Sequence, residues 1–303
     1  MEISDSMLSL MACFVDNSTA ESRSARIAQK AVENCDKKPL VSSDVVDADN
    51  FTFEVFKQPV RNNGDAHGQS GELLLATHKQ DTSKKYVIKH ESPECAANEF
   101  VYTKMAQAIG LKMPHVKLFR LSDPLDDTLF KTEYVIGFEY LNARHLNLDE
   151  INSVKNPDDF YKFQILYRLF KEYDKLEILL ADDGYIYRID TSDSFGVCHY
   201  HVQDNDAIGR KILNPILHGM KTSFLQDIDS CIERNIAEFG ENKARIFYEP
   251  LYAILKIHKT YINKFLDTLC YFYPDYFKDF YNDFFIEVKK TAKKLIKYSG
   301  FQE

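Results

Sequence analysis

One hairpin, embedded in an otherwise helical region, restricts the fold of this chain more than any other sequence feature. The segment LEILLADDGYIYRID (176–190) has an apolar run on each side of Asp183 and Gly184. Such a dipeptide between apolar runs is a strong signal for two antiparallel strands joined by a tight turn. Apolar residues recur at helical spacing through 156–170, and a helical pattern also covers roughly 205–303. We therefore predict a mainly helical region, 141–303, that contains one hairpin.

The preceding part of the chain has the alternation of apolar and polar residues that is typical of half-buried strands. FTFEVF shows it, and four further segments are predicted as strands, namely GELLLATHK, KKYVIKHE, PHVKLFRL and FKTEYVIGFEYL. One helix is predicted after the third segment, because Ser92 can cap its start, Pro93 suits the first turn and Gly110 can end it. The predicted fold class is α+β, with a five-stranded antiparallel sheet and one helix over 51–140.

Residues 1–50 are rich in Ser, Asp, Asn and Ala, and we predict an N-terminal extension that is partly helical between Thr19 and Asn34. No apolar run reaches the ~20 residues that a membrane helix needs. Acids bracket the apolar stretch at 7–15, so no Sec signal peptide is expected. The six cysteines show neither a disulfide nor a zinc spacing, which favours a reducing compartment such as the cytoplasm. A net charge of −8 disfavours nucleic acid as a partner.

A lysine and an acid flank the junction between the third strand and the helix. Lys89 ends the strand, and Glu99 lies on a helical stripe whose other members are largely apolar. A lone lysine at a strand end is usually solvated. An acid that borders an apolar face, however, needs a partner. The sequence therefore predicts an ion pair between Lys89 and Glu99.

These motifs resemble the small lobe of protein-kinase-like enzymes. VIK, then NE in a helix, then GL and P-x-V are similar to that lobe, above all in atypical bacterial branches such as the HipA-like kinases. The resemblance covers about 51–195 and implies a two-lobed protein-kinase-like fold, with 51–140 as the N-lobe and 141–303 as the C-lobe. It implies ATP as a cofactor, with Lys89 and Glu99 near the phosphates. The residues that it places at the adenine edge are Glu139, Tyr140 and Leu141.

The hairpin resembles the one that precedes the metal-binding Asp of protein kinases. In LLADDGYIYRID this position falls on Asp190, and Glu177 falls where the family has a metal-binding Asn. The secretory-pathway casein kinases resemble this chain in having Glu there, and a carboxylate is a good ligand for Mg²⁺. The resemblance thus implies that Asp190 and Glu177 hold Mg²⁺ or Mn²⁺.

The chain departs from the kinase pattern at the catalytic base and at the phosphate loop. YRLFKEYDKLE (167–177) has no His-Arg-Asp triplet. The position of the catalytic Asp falls on Glu172, and Asp174 is a better chemical match that needs a shorter loop. Both residues also fit as solvated ends of the preceding helix. The segment 64–71 has three glycines without a strict GxGxxG pattern, and Ser70 is its candidate phosphate contact.

Lysines cluster near the end of this acidic chain. Solvated helix faces explain such clusters well. A bound polyanion would also explain them, because it relieves the mutual repulsion of the lysines. Some bacterial effector kinases that resemble this chain need a polyanion from the host, so an acidic phospholipid headgroup or an inositol phosphate such as inositol hexakisphosphate is an expected activator. The candidate residues are Lys256, Lys259, Lys290, Lys293 and Lys294.

The function that these features predict is ATP-dependent phosphoryl transfer by an atypical protein kinase acting on Ser, Thr or Tyr. The resemblance implies a bacterial effector that works inside a host cell, reached without a Sec signal peptide. Four alternatives stay open, namely a phosphoinositide or small-molecule kinase, an AMP transferase on the same fold, a catalytically dead pseudokinase that serves as a binding module, and an α+β interaction protein without a nucleotide site.

Overall fold

The computed structural model describes residues 43–56, 73–89, 93–120, 136–173, 175–195, 228–269 and 276–299. Three of the expectations above lie outside these residues: the helix at 19–34, the glycine-containing segment with Ser70, and Asp174.

A curled six-stranded sheet forms the N-terminal part of the described protein. Its strands are β1 (Val45–Asp47), β2 (Phe51–Val55), β3 (Leu74–His78), β4 (Lys85–Ile88), β5 (Val116–Arg120) and β6 (Ile136–Glu139). They are arranged in the order β1-β5-β6-β4-β3-β2. The five predicted strands are β2 to β6, and the pairings among them are antiparallel.

The predicted number of five strands is wrong, because β1 is a sixth. It pairs in parallel with β5, with Val45 opposite Leu118. The sequence assigns this segment to the N-terminal extension, since a strand of three residues is too short to show an alternating pattern. A 3-10 turn, Ala48–Asn50, then leads the chain to β2 at the opposite edge of the sheet.

Helix α1 (Pro93–Ala108) follows β4 where the sequence predicts a helix. It is buried around most of its surface, since Ala96, Phe100 and Tyr102 are fully covered and so are polar residues of the same turns. Buried polar groups are nearly always hydrogen-bonded. The polar residues of α1 are therefore expected to have specific partners in the neighbouring segments.

The C-terminal part contains a three-stranded sheet and five helices among the described residues. The sheet consists of β7 (Ala143–His145), β8 (Glu177–Ala181) and β9 (Ile186–Ile189). The predicted hairpin is confirmed, because β8 and β9 pair in antiparallel register around Gly184. The helices are α2 (Pro157–Leu169), α3 (228–239), α4 (Ala244–Lys256), α5 (Lys259–Leu269) and α6 (Tyr276–Ser299). None of these helices is long and apolar enough to cross a membrane.

Gly137 allows β6 to approach an aromatic cluster of the curled sheet. A Cβ atom at this position would lie 2.6 Å from Cε2 of Phe119 and 3.3 Å from Cβ of Tyr86. The Phe119 ring is held edge-on against Phe51 and Tyr86, with centroids 5.1 and 5.7 Å away. The ring therefore has little freedom to retreat from an added methyl group.

We expect Gly137→Ala to lower the free energy of unfolding by about 1–3 kcal/mol, because the new methyl group overpacks the aromatic cluster. Denaturant unfolding measures this change. The same substitution in a Phe119→Leu background should cost much less, since leucine lacks the atom at 2.6 Å. An equal cost in both backgrounds would show that the close approach is not the cause.

Candidate active site

Lys89 contacts two carboxylates that come from different parts of the chain. Its Nζ donates a hydrogen bond to Oε1 of Glu99 in α1 and another, 2.7 Å long, to Oδ1 of Asp190 after β9. The predicted ion pair between Lys89 and Glu99 is thus confirmed. The exposed fraction of the side chain is 2% for Glu99, 18% for Lys89 and 33% for Asp190. The cluster is therefore closed on the side of Glu99 and open to solvent on the side of Asp190.

Glu99 is the buried anchor of this cluster. Its second carboxylate oxygen, Oε2, accepts a hydrogen bond of 3.3 Å from the hydroxyl group of Thr191. A carboxylate removed from water is costly unless it is paired and hydrogen-bonded. Both oxygens of Glu99 have such partners, so Glu99 can hold the Lys89 ammonium in one place.

Asp190 has a left-handed backbone conformation, with φ at +58°. Asp tolerates this region better than most residues do, yet it still costs roughly 1 kcal/mol. The other described non-glycine residues with positive φ are Lys171 and Phe195. The three residues lie in two segments, 170–173 and 190–195, that are hydrogen-bonded to each other. The N–H of Phe195 donates to the carbonyl oxygen of Phe170, and the N–H of Tyr173 donates to that of Asp193. Local strain of this kind clusters at functional sites.

The charge of Asp190 is stabilised by its neighbours. The Lys89 ammonium lowers the pKa of the Asp190 carboxyl, although burial opposes this, and Arg188 adds to the lowering. Asp190 therefore remains an anion at neutral pH. An anionic, partly exposed carboxylate is the kind of oxygen ligand that Mg²⁺ takes in proteins.

Glu172 lies in the core. Its carboxylate accepts a hydrogen bond from Nη2 of Arg188, and the two side chains are 2% and 0% exposed. Burial alone would lower the pKa of Arg188, but the Glu172 carboxylate together with Tyr102 and Asp190 raises it. Glu172 is thus the counter-ion of a buried arginine. This position disfavours its expected role as the catalytic base.

Arg188 is a further buried charged residue of this region that was not predicted from the sequence. Besides Glu172, Arg188 donates hydrogen bonds to the backbone oxygen atoms of Glu177, at 2.9 Å, and of Ile189. Arg188, which lies two residues before Asp190, therefore connects the backbone at Glu177 and the side chain of Glu172 to the end of β9. A signal was present, because Arg188 occupies an inward-facing position of β9 that alternates with Ile186. An arginine at such a position needs a buried anion.

The two expected metal ligands stand at the same end of the hairpin. Glu177 begins β8 and is paired in register with Ile189, the residue before Asp190. Within the described ranges, no group of three or more His, Cys, Asp and Glu side chains is arranged to hold a metal ion. Mg²⁺ commonly takes one or two protein carboxylates together with substrate phosphates and water. This donor set therefore fits Mg²⁺ that arrives with a nucleotide.

The backbone at the expected adenine edge is partly occupied. Glu139 ends β6, and its N–H donates a hydrogen bond to the carbonyl oxygen of His115. The N–H of Tyr140 donates a hydrogen bond to the carbonyl oxygen of Lys85. Neither N–H can then bind the edge of a base. Leu141, which follows them, is the remaining candidate for that contact.

The C-terminal lysines lie on the surface. Lys290 forms an ion pair with Glu287 at 2.5 Å. The neighbouring Lys289 donates a hydrogen bond to the backbone oxygen of Ile257 and so fastens α6 to the link between α4 and α5. The exposed members of the expected polyanion site are Lys256, Lys259, Lys290, Lys293 and Lys294.

No protein-family model matches this sequence, and no curated protein matches it either. Among solved structures, the chain is similar to CtkA, a proinflammatory kinase of Helicobacter pylori. The two share 15% sequence identity at a TM-score of 0.44, over 79% of this chain and 96% of the other. The described residues have the predicted α+β arrangement, a strand-rich part followed by a mainly helical part.

We expect Glu172→Gln to lower the free energy of unfolding by about 3 kcal/mol, because it leaves the buried Arg188 charge without a counter-ion. Denaturant unfolding measures this loss. Glu150→Gln is the matched control, since Glu150 forms a bidentate but exposed pair with Arg144 and should have little effect on stability. If Glu172→Gln were as stable as the wild-type protein but inactive, Glu172 would be the base after all.

Proposed function

We propose that this protein is an ATP-dependent phosphotransferase that acts as an atypical protein kinase. The observation that carries the proposal is the simultaneous contact of Lys89 with Glu99 and Asp190. In protein kinases, an ion pair between a strand lysine and a helix glutamate must be in place together with a metal-binding Asp. This chain brings the same three kinds of group together from a strand end, a helix and a hairpin end.

The three groups differ in what they can do, because they differ in exposure. Glu99 is buried and bonded on both oxygen atoms, so its role is to orient Lys89. Lys89 is the cation that would contact the phosphates of ATP. Asp190 is the more exposed carboxylate, so it would hold Mg²⁺ or Mn²⁺, with Glu177 as the second ligand. The metal ion, when bound, would neutralise negative charge on the phosphates.

Asp174 is the proposed base that accepts the proton of a substrate hydroxyl group. Glu172 is already paired with Arg188, which leaves Asp174 as the acid of this segment that can serve. Ser70 would add a contact to phosphate, and the backbone of Leu141 would bind the adenine edge.

The finer parts of the proposal are supported by the sequence resemblance. Ser, Thr or Tyr side chains of a protein are the proposed acceptors, and the proposed setting is a bacterial effector in the cytoplasm of a host cell. A phosphoinositide kinase, an AMP transferase and a pseudokinase would each retain the Lys89 cluster. The position of the label transferred from ATP distinguishes the AMP transferase and the pseudokinase from a kinase, and the labelled acceptor, protein or lipid, distinguishes the phosphoinositide kinase.

We expect Lys89→Met and Asp190→Asn each to reduce phosphoryl transfer at least about 100-fold, or roughly 2.7 kcal/mol in barrier height. Each removes one charge that acts on the phosphates or the metal. The measurement is transfer of label from γ-labelled ATP in Mg²⁺ or Mn²⁺. Lys84→Met is the matched control, because Lys84 precedes the same strand but is exposed and paired with Asp81.

Parallel reactions with α-labelled ATP complete this experiment. If the product carries label from the α position, the reaction is AMP transfer and not phosphoryl transfer. ATP binding without transfer of either label would make the protein a pseudokinase. Activity of Lys89→Met within about tenfold of wild type would refute the assignment of Lys89.

We also propose inositol hexakisphosphate as an activator that binds the C-terminal lysines. The hydrogen bond from Lys289 to Ile257 supports this, because Ile257 lies between Lys256 and Lys259. Lys293, one helical turn beyond Lys289, is on the same side of α6. Three helices therefore contribute lysines to one region of the surface.

Inositol hexakisphosphate is expected to stabilise the fold by about 2.7 kcal/mol at a hundredfold excess over Kd. The melting temperature should rise, and it should rise less in high salt, which screens surface charges. Lys256→Gln/Lys293→Gln should abolish the rise, whereas Lys84→Gln should not. An unchanged melting temperature of the wild-type protein would leave these lysines as solvated helix faces.

A further inference from the structure

Asn98 connects three segments of the chain from inside α1. Its side chain is buried, and its amide nitrogen donates hydrogen bonds to the backbone oxygen atoms of Ser192, at 2.8 Å, and Ser194, at 2.9 Å. Its amide oxygen accepts a hydrogen bond of 2.7 Å from the hydroxyl group of Tyr281 in α6. Because both ends of the amide are bonded, the side chain is held in one orientation.

The position of Asn98 links it to the Lys89 cluster. Asn98 precedes Glu99 in α1, and Ser192 follows Asp190 by two residues. Thr191, which lies between Asp190 and Ser192, donates a hydrogen bond from its hydroxyl group to Glu99. The amide of Asn98 therefore sets the path of residues 191–195 along α1. The same path fixes the left-handed backbone of Asp190, which needs such a restraint.

Tyr281 brings the C-terminal helix into this arrangement. Its ring packs against the fully buried ring of Phe195 with a centroid distance of 5.2 Å. Phe195 also contacts Phe170 at 5.4 Å and Phe284 at 5.0 Å. Tyr281 thus touches the segment after Asp190 through a ring and through a hydrogen bond to Asn98. Helix α6 can influence that segment by both contacts.

We propose that Asn98 is a positioning residue of the active site, and that Tyr281 fixes its orientation so that helix α6 controls the placement of Asp190. The inference rests on the proposed function for its catalytic consequence. Asn98 does not touch a reacting group itself. It acts on Asp190 through Ser192 and Ser194.

A purely structural role for Asn98 makes a different prediction. If the amide served only the stability of the core, its loss would reduce the amount of folded protein and leave the dependence of activity on Mg²⁺ unchanged. If it positions Asp190, its loss changes the Mg²⁺ concentration that gives half-maximal activity and lowers kcat in the protein that is folded. Outer groups that orient a metal ligand typically affect affinity or activity by about 10–100-fold.

Two conservative variants test the proposal. Asn98→Asp keeps the acceptor for Tyr281 but removes both donors, so activity and apparent Mg²⁺ affinity should each fall about 10–100-fold. Tyr281→Phe keeps the ring against Phe195 and removes one hydrogen bond, so the expected loss is about fivefold. Asn235→Asp and Tyr161→Phe are matched controls, since both residues are buried in the helical part, Asn235 beside Gln164 and Tyr161 against Phe239. Both controls should keep the wild-type Mg²⁺ dependence.

Hydrogen exchange at residues 190–195 provides a readout that does not need turnover. Exchange should accelerate in Asn98→Asp and Tyr281→Phe but not in the controls. If exchange accelerates while the wild-type protein neither binds nor uses ATP, the positioning stands and the proposed function fails. If Tyr281→Phe shows wild-type Mg²⁺ dependence and wild-type exchange, the inference is overturned, even where Asn98→Asp fails to fold.

Discussion

The burial of the Glu99 carboxylate is the constraint on which the rest of the site depends. A carboxylate that is 2% exposed requires a cation and further hydrogen bonds. The curled sheet supplies the cation because Lys89 directly follows β4, and the hairpin supplies a hydroxyl group because Thr191 follows β9. The same ammonium reaches Asp190. One buried charge in α1 therefore determines how the sheet, the helix and the hairpin meet.

Two further buried polar groups hold the loops around this charge. Arg188 fastens the segment 172–177 to β9, with Glu172 as its counter-ion. Asn98 fastens residues 191–195 to α1 and to Tyr281 in α6. Each side chain bonds to backbone atoms of a loop, so each fixes a chain path. Loops that carry functional groups gain order in this way without regular secondary structure of their own.

The strands β2 to β6, helix α1 and the hairpin β8-β9 could be predicted, because each has a clear period, a capping signal or a turn dipeptide. The contact between Lys89 and Glu99 could also be predicted from the sequence, because an acid beside an apolar face needs a partner close by. The short strands β1 and β7 have only three residues each and show no period. The partners of Asn98 could not be predicted from the sequence, because Tyr281 lies 183 residues away along the chain. The burial of Glu172 depends on Arg188, which shares the inward face of β9 with Ile186; this alternation was visible in the sequence but was not used.

The central claim is that Lys89, Glu99 and Asp190 form a site for ATP with a divalent metal ion. Calorimetric titration of the wild-type protein and Asp190→Asn with ATP, in Mg²⁺ and in a chelator, tests it directly and does not require an identified substrate. The account predicts that Mg²⁺ strengthens ATP binding to the wild-type protein at least about tenfold, which is 1.4 kcal/mol, and that Asp190→Asn loses this gain. Equal affinity with and without Mg²⁺, or no detectable binding of ATP to the wild-type protein, would contradict the account.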